Sequence, residues 1–385
     1  MKGHGKRTAV TAAVMGLAAA LAFGGCAKKD GNTVSLGAIF PLSGQVAYYG
    51  TESRDGILLA VDEINAGGGL LGKQIALVVE DDEGNGEKSV NAFTKLTTKN
   101  QITIILGSST SGATKAMTAL AQRNKVLLIS PSATDTTVTA GGDFIFRACF
   151  IDPFQGTVGA AFAYDTLAVR RAAILYDGGA DYNTGLAEAF RRQFQTLGGQ
   201  IVADEAYQSN EVDFAALATR IRAAGPDVVY LPNYYNDVSL QASQLRAQGI
   251  TCPFVGGDGW DGLVDIASGN EALNGFWSAG FAADTTDPRG VAFVGAFQAK
   301  FNRKASQFAA LGYDSMMLVA DAIRAAGTFD ASVVKDALAR ISGSYVTGNI
   351  RFDANRNPVK SASILEIVRE DGKLVNVYKT TVHPR

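Results

Sequence analysis

ITIILGSSTSG, residues 102–112, joins a short apolar run to a loop of small hydroxyl-bearing side chains. VLLISPSAT, residues 126–134, repeats that arrangement. Each stretch predicts a buried parallel strand followed by a loop rich in hydrogen-bond donors, and the first loop also begins a helix. In open α/β sheets, ligands bind at the carboxyl ends of such strands. These loops can hold a carboxylate without an Arg, although Ser and Thr are also ordinary helix caps.

Outward from these two strands, apolar runs alternate with amphipathic helices in two series. The first series predicts strands at 34–40, 75–79, 102–106 and 126–129, and the second at 172–176, 201–207, 228–231 and 254–255. This alternation predicts an α/β fold of two parallel, doubly wound units. After Phe281 the pattern is mainly helical. A hairpin signal around Asp371-Gly372 predicts an antiparallel edge on one sheet.

The first 25 residues have the layout of a secretory leader. Basic residues precede an apolar run at 9–23, and small residues then lead to Cys26. We expect this leader, residues 1–25, to be removed and residues 26–32 to form a polar tether. Cys26 resembles the cysteine that carries the lipid in bacterial lipoproteins. The alternative is simple cleavage that leaves Cys26 as a free thiol.

Composition and charge exclude several classes of function. The net charge is −2 and no run of Lys or Arg exceeds two residues, so we expect no nucleic-acid partner. The two histidines are His4, in the leader, and His383, near the end of the chain. Their positions argue against His-based catalysis and His metal sites. We therefore expect no cofactor and no metal.

Two stretches resemble nucleotide and calcium motifs in spacing but not in context. Residues 67–72 satisfy the dinucleotide fingerprint, yet they end a predicted helix and precede a strand, which reverses the order that the fingerprint needs. We interpret them as a helix stop and turn. Residues 81–86 resemble part of a calcium loop, but Ala92 stands where the loop needs a bidentate Glu. We expect this loop to cap the helix that follows.

Two further cysteines, Cys149 and Cys252, lie next to predicted strands and more than a hundred residues apart. We interpret them as two partly buried thiols. Whether they pair stays open, because the sequence does not give the distance between their Cα atoms.

One carboxylate stands out in VGGDGW, residues 255–260, just past the last strand of the second series. The glycines beside Asp258 let the backbone approach a ligand closely. An acid there, opposite donor-rich loops, would match both charges of an α-amino acid. The alternative is that Asp258 only stabilises its own turn. Tyrosines also follow predicted strands, at 48–49, 182 and 234–235, where they would line a cleft.

Several stretches together resemble the type I periplasmic binding proteins, and most closely the leucine/isoleucine/valine-binding group that serves ABC importers. They are LGAIFPLSGQVAYYG (36–50), GILLAVDEINAGGGLLG (56–72), residues 107–114, ISPSAT (129–134), residues 173–185 and residues 256–260. The resemblance covers nearly the whole chain after the leader, in order. It implies two Rossmann-like lobes joined by a three-segment hinge, with ligand bound between them.

The resemblance also assigns roles to residues. The ligand-binding positions it implies are Tyr49, Ser109, Thr110, Ser111, Ser132, Ala133, Thr134, Tyr182, Tyr234, Asp258 and Phe308. The loop at 109–111 would bind the ligand carboxylate, the loop at 132–134 would add donors, Asp258 would bind the ammonium, and the aromatic residues would form walls. This sequence has Asp258 where the leucine-binding members have Glu, and it lacks a counterpart of their first-lobe disulfide.

The resemblance implies lobe 1 at 33–150 plus 283–346 and lobe 2 at 151–282 plus 347–385. It further implies an exported monomer, anchored by lipid at Cys26 to the outer face of a membrane or held in the periplasm. Such a protein would bind an amino acid or similar small ligand and deliver it to an ABC permease, without being an enzyme. Two alternatives stay open: a sensing module for amides, urea or aromatic acids, and a hydrolase on the same topology.

Overall fold

The computed structural model describes Met1 and residues 31–383. The rest of the expected leader and Cys26, the expected lipidation site, lie outside the described residues. The strands are β1 Thr33–Phe40, β2 Gln74–Asp81, β3 Ile104–Gly107, β4 Leu127–Ser130, β5 Ile145–Arg147, β6 Arg171–Asp177, β7 Gln200–Tyr207, β8 Val228–Leu231, β9 Phe254–Gly256, β10 Gly275–Ala279, β11 Ser342–Tyr345, β12 Gly348–Arg351, β13 Ala362–Glu370 and β14 Lys373–Val382.

The α-helices alternate with these strands. They are α1 Ala47–Ala66, α2 Gly86–Thr94, α3 Ser111–Asn124, α4 Thr137–Ala140, α5 Asp152–Ala161, α6 Asp181–Thr196, α7 Ala215–Ala224, α8 Tyr235–Ala247, α9 Leu263–Ile266, α10 Pro288–Phe301, α11 Gln307–Ala326 and α12 Ala331–Leu338. Single π-helical turns, Lys95–Lys99 and Phe162–Thr166, continue α2 and α5.

Two larger sheets form the centres of two lobes. The first has the order β2-β1-β3-β4-β5, with every pair parallel. The second has the order β14-β13-β10-β9-β8-β6-β7 and is antiparallel only where β13 joins β10 and β14. The predicted α/β fold is therefore confirmed, as is the terminal hairpin, whose turn residues Asp371 and Gly372 both have positive φ.

The strand expected beside Cys149 is β5, which has only three residues and for which the sequence pattern set no bounds. The sequence pattern missed β10, which begins with a glycine and contains a buried serine. That run is not apolar enough to predict a strand by itself. The hairpin of β11 and β12 was also missed, because its residues are mostly polar and partly exposed.

The chain passes between the lobes three times within residues 31–383, after β5, after β10 and after β12. The expected change of lobe at residue 347 is too early. Ile350 and Phe352 pack in the core of the first lobe, with strands of its sheet, so the crossing comes after them. The point at which the chain crosses between lobes is defined by the core into which each successive apolar side chain packs. Here Ile350 still packs in the core of the first lobe. The other expected lobe boundaries stay predictions.

Two long helices of the first lobe, α1 and α11, pack against each other at close range. A Cβ atom added at Gly56 would collide with the backbone of Ala309, and one added at Gly312 would collide with the backbone of Ser53. Glycine at both positions therefore permits the approach. This contact places Tyr49, on α1, against Phe308, on α11, at the edge of the lobe.

The turn predictions agree with the structure. α1 ends at Ala66 in the glycine-rich turn, where Gly68 and Gly69 have positive φ. Asn85 caps α2 by accepting hydrogen bonds from the N–H groups of Glu87 and Lys88. Cys149 is buried, Cys252 is partly buried, and these two thiols are free in the structure. No helix among the described residues is long and apolar enough to cross a membrane.

Candidate ligand-binding site between the lobes

The first lobe contributes two donor loops. One follows β3 and leads into α3, and the other follows β4, so both lie at the carboxyl edge of the parallel sheet. The Ser132 hydroxyl donates to the Ser109 carbonyl at 2.8 Å, which joins the two loops. The hydroxyl oxygens of Ser109 and Ser53 lie 3.3 Å apart. The hydroxyl-bearing residues are therefore held in one buried cluster.

The second lobe contributes Asp258, which follows β9 in a short 3₁₀ turn and is 3% exposed. Its backbone N–H donates to Gln155 Oε1 at 2.5 Å, and its carbonyl accepts from Gln307 Nε2 at 2.8 Å. Asp258 Oδ1 has no hydrogen-bond partner among residues 31–383. Burial raises the pKa of the Asp258 carboxyl to about 6. An ion of opposite charge would be strongly favoured beside it.

Aromatic side chains from both lobes enclose the space between these groups. The Tyr182 and Tyr234 rings stack with centroids 4.9 Å apart, and the Tyr49 and Phe308 rings stack at 4.3 Å. The Tyr49 hydroxyl crosses between the lobes and donates to the Gly259 carbonyl at 2.5 Å. Burial raises the pKa of all three tyrosines well above the usual range, so each hydroxyl stays protonated at neutral pH.

A small cavity lies between the lobes. Its lining residues are Tyr49, Ser109, Ser111, Ser132, Tyr182, Tyr234, Asp258, Gly259 and Phe308. The structure therefore brings eight of the eleven residues named from the sequence to one cavity. Thr110, Ala133 and Thr134 do not line it. They are buried in the same two loops, with Thr110 at the N-cap position of α3.

The sequence pattern missed residues that support the site. Gln155, on α5, accepts from the Asp258 N–H and from the Ser278 hydroxyl at 2.9 Å. Gln307, at the start of α11, holds the same turn from the first lobe. Asp152 is a second carboxyl near Asp258, and burial raises its pKa well above the usual range. Each depends on contacts between distant parts of the chain, so no local motif marks it.

The geometry describes a binding cavity with separated polarity. Hydroxyl donors lie in the first lobe, a carboxyl in the second, and aromatic walls between them. No cluster of three or more His, Cys, Asp or Glu in the described part of the chain is suited to hold a metal ion. The fold and the cavity define a two-lobed protein of the class that encloses a small molecule between its lobes.

Comparisons with known proteins identify the family. Residues 33–373 match the model of the family described as periplasmic binding protein. A Leu/Ile/Val-binding protein from Rhizobium johnstonii is 34% identical over 324 residues, which cover 84% of this chain and 87% of that protein. The chain therefore belongs to the periplasmic binding protein family, and the resemblance noted from its sequence is confirmed.

Solved structures agree in fold. The branched-chain amino acid transporter substrate-binding protein LivJ from Streptococcus pneumoniae, in complex with isoleucine, is 37% identical with a TM-score of 0.85. The match covers 91% of this chain and 100% of that one. The leucine-binding protein LivK from Thermotoga maritima is 29% identical, also with a TM-score of 0.85, and the match covers 91% and 99% of the two chains. The two-lobed architecture is thus shared with proteins of this kind.

Proposed function

We propose that this chain is the extracytoplasmic solute-binding component of an ABC importer and that it binds a free amino acid noncovalently. The observation that carries the proposal is that Ser109, Ser111 and Ser132 line the same cavity as Asp258, whose carboxyl is buried. The hydroxyl loops would bind the carboxylate of the ligand and Asp258 its ammonium group. The relatives named above support this choice of ligand.

The aromatic walls favour an aliphatic side chain on the ligand. The two stacked pairs present apolar ring surface. The Tyr49 hydroxyl donates to the Gly259 carbonyl, and the Tyr182 hydroxyl accepts from the Gly259 N–H at 3.0 Å. Isoleucine, leucine and valine are therefore the first ligands to test.

Closure of the lobes would couple binding to delivery. Contacts between the lobes include Tyr49 with Gly259, the Tyr235 hydroxyl with the Gln45 carbonyl at 2.9 Å, and Lys115 with Asp181 at 2.8 Å. A ligand that touches both lobes favours this closed form through its extra contacts. The closed monomer would then dock on the membrane permease.

Lipid attachment at Cys26 completes the proposal, because it would keep the protein next to its permease. The experiment compares the native protein with Cys26→Ala in a cell fractionation. The native protein is expected in the membrane fraction and the variant in the soluble fraction. Equal distribution of the two would contradict the anchor.

Calorimetry tests the ligand assignment. The purified protein is titrated with isoleucine, leucine and valine, and separately with acetamide, urea and benzoate. We expect a branched-chain amino acid to bind and Asp258→Asn to weaken it by about 2–5 kcal/mol, because a desolvated ammonium loses its partner. Asp265→Asn, an exposed acid of the same lobe, is the matched control and should bind normally. Binding of only an amide, urea or benzoate, or full affinity in Asp258→Asn, would refute the proposal.

A further inference from the structure

Arg147, the last residue of β5, is a fully buried arginine beneath the second donor loop. Its Nη1 donates to the Ala133 carbonyl at 2.6 Å and its Nη2 to the Asp135 carbonyl at 2.7 Å. No carboxylate in the described part of the chain lies within salt-bridge distance of it. A buried guanidinium without an ion pair is costly. Its two short bonds to one loop indicate what it stabilises.

One backbone N–H group of this loop makes no hydrogen bond within the described part of the chain, whereas its neighbours do. The N–H groups of Ser132 and Ala133 donate to Ser130 Oγ at 3.3 and 2.9 Å. The Asp135 N–H donates to Ser111 Oγ at 3.2 Å. The hydrogen bonds within residues 31–383 include none from the Thr134 N–H, which lies between them. Buried N–H groups without a partner are rare, so this donor needs an explanation.

The geometry of the peptide bond connects these two observations. The Ala133 carbonyl points at Arg147, and in a trans peptide the following N–H points the opposite way. Arg147 therefore holds the Thr134 N–H directed away from the guanidinium. The same loop presents Ser132 to the cavity.

We propose that Arg147 is a positioning residue for ligand recognition: by donating to two carbonyls of the loop, it fixes Ser132, which lines the cavity, and the adjoining Thr134 N–H in the arrangement that receives the ligand's carboxylate. Arg147 does not line the cavity and does not touch the ligand. This inference rests on the proposed function, because it concerns the carboxylate of a bound amino acid.

The test compares two ligands that differ only at the carboxylate. Isoleucine and isoleucinamide are titrated at pH 7 into the native protein, Arg147→Lys and Arg147→Met. A hydrogen bond to a charged group contributes about 10- to 100-fold to affinity. We therefore expect Arg147→Met to bind isoleucine about 10- to 100-fold more weakly than the native protein does, with a much smaller change for isoleucinamide. Lysine keeps the charge but lacks the planar fork that reaches two carbonyls, so Arg147→Lys should also lose preference for the acid.

Arg356→Lys is the matched control. The Arg356 guanidinium also binds two carbonyls of this lobe, those of Ile145 at 3.1 Å and Thr139 at 2.7 Å, but neither belongs to a cavity loop. The Arg356→Lys variant should prefer isoleucine over isoleucinamide by the same factor as the native protein. A merely structural arginine would lower stability in both variants without changing this ratio.

The outcomes separate this inference from the proposed function. If the native protein binds isoleucine and isoleucinamide equally, the carboxylate-binding role of the loops fails. If the native protein prefers the acid and Arg147→Lys keeps the full preference, the role of Arg147 is refuted while the proposed function stands. Should the Arg147 variants not fold, Thr139→Val removes a hydroxyl that accepts from Arg147 Nη2 at 3.3 Å. It should show a smaller loss of the same preference, and an unchanged ratio would refute the inference.

Discussion

A buried carboxyl group dominates the chemistry of the cavity at the scale of single residues. Asp258 is nearly inaccessible, and its Oδ1 has no hydrogen-bond partner in the described chain. Removal from water disfavours the charged form, which is why its pKa lies near 6 instead of near 4. A ligand ammonium reverses this, because an adjacent positive charge favours the carboxylate. Binding and ionisation of Asp258 are therefore linked.

This linkage predicts a pH dependence of affinity. Below pH 6, Asp258 must lose a proton before it can pair with an ammonium, so affinity falls as the pH falls through 6. At pH 5 we expect isoleucine to bind about tenfold more weakly than at pH 7. Calorimetry in two buffers of different ionisation enthalpy should detect the released proton. Asp258→Asn should lose this dependence, and an equally steep profile in that variant would assign it to another group.

Asp258 itself could be predicted from the sequence, because its glycine neighbours and its place after a strand mark it. The residues that hold the Asp258 turn in place could not be predicted. Gln155 and Gln307 are ordinary polar residues in helical patterns, and they reach Asp258 only because three distant segments of the chain meet there. No motif in the sequence marks Arg147. Buried polar contacts between remote segments leave no periodic signal.

At the scale of elements, the contact of α1 with α11 sets one wall of the cavity. At Gly56 and Gly312 the two helices are so close that a Cβ atom would collide with the backbone of the facing helix. Tyr49 on one helix then stacks on Phe308 of the other. The separation of these helices therefore determines the position of the aromatic wall.

A methyl group at this contact should separate the helices. Gly312→Ala introduces a Cβ against the backbone of Ser53, which cannot move aside without shifting α1. We expect the free energy of unfolding, measured with urea, to fall by about 1–3 kcal/mol, with weaker isoleucine binding. Gly295→Ala is the control, because that site on α10 is exposed and open. It should raise stability by about 0.5–1 kcal/mol. If Gly312→Ala leaves the free energy of unfolding unchanged, the close contact between the helices is contradicted.

Most elements followed from hydrophobic periodicity, and the exceptions share a cause. The eight strands expected for the two parallel series all occur, with ends shifted by a few residues. β10 was missed because it is stabilised by its neighbours in the sheet and not by its own composition. Tertiary context decides such short strands.

At the scale of the whole molecule, Asp261 connects the lobes beside the cavity. Its Oδ2 accepts from the Gln307 N–H at 3.0 Å and its Oδ1 from the Tyr48 hydroxyl at 3.3 Å, both in the first lobe. Burial, followed by the negative charge of Glu52, raises the pKa of Asp261 to about 7. Glu52 also accepts a hydrogen bond from the Ser306 hydroxyl and forms an ion pair with Arg303.

This contact predicts that pH affects closure. Opening returns the carboxyl to water and lowers its pKa, so the closed form binds a proton more tightly and loses stability relative to the open form as pH rises through 7. Without ligand, the radius of gyration from solution X-ray scattering should increase between pH 6 and pH 8. Asp261→Asn keeps the acceptor without the charge and should increase less. Equal expansion of both proteins would refute the role of Asp261.

The central claim is that the two lobes present opposite polarity to one amino acid. A crystal structure of the complex with isoleucine tests it most directly. The account predicts the amino nitrogen within hydrogen-bond distance of the Asp258 carboxylate and the ligand carboxylate against the loops of Ser109 and Ser132. A ligand bound in the reverse orientation, or an Asp258 side chain that faces solvent away from the ligand, would contradict it.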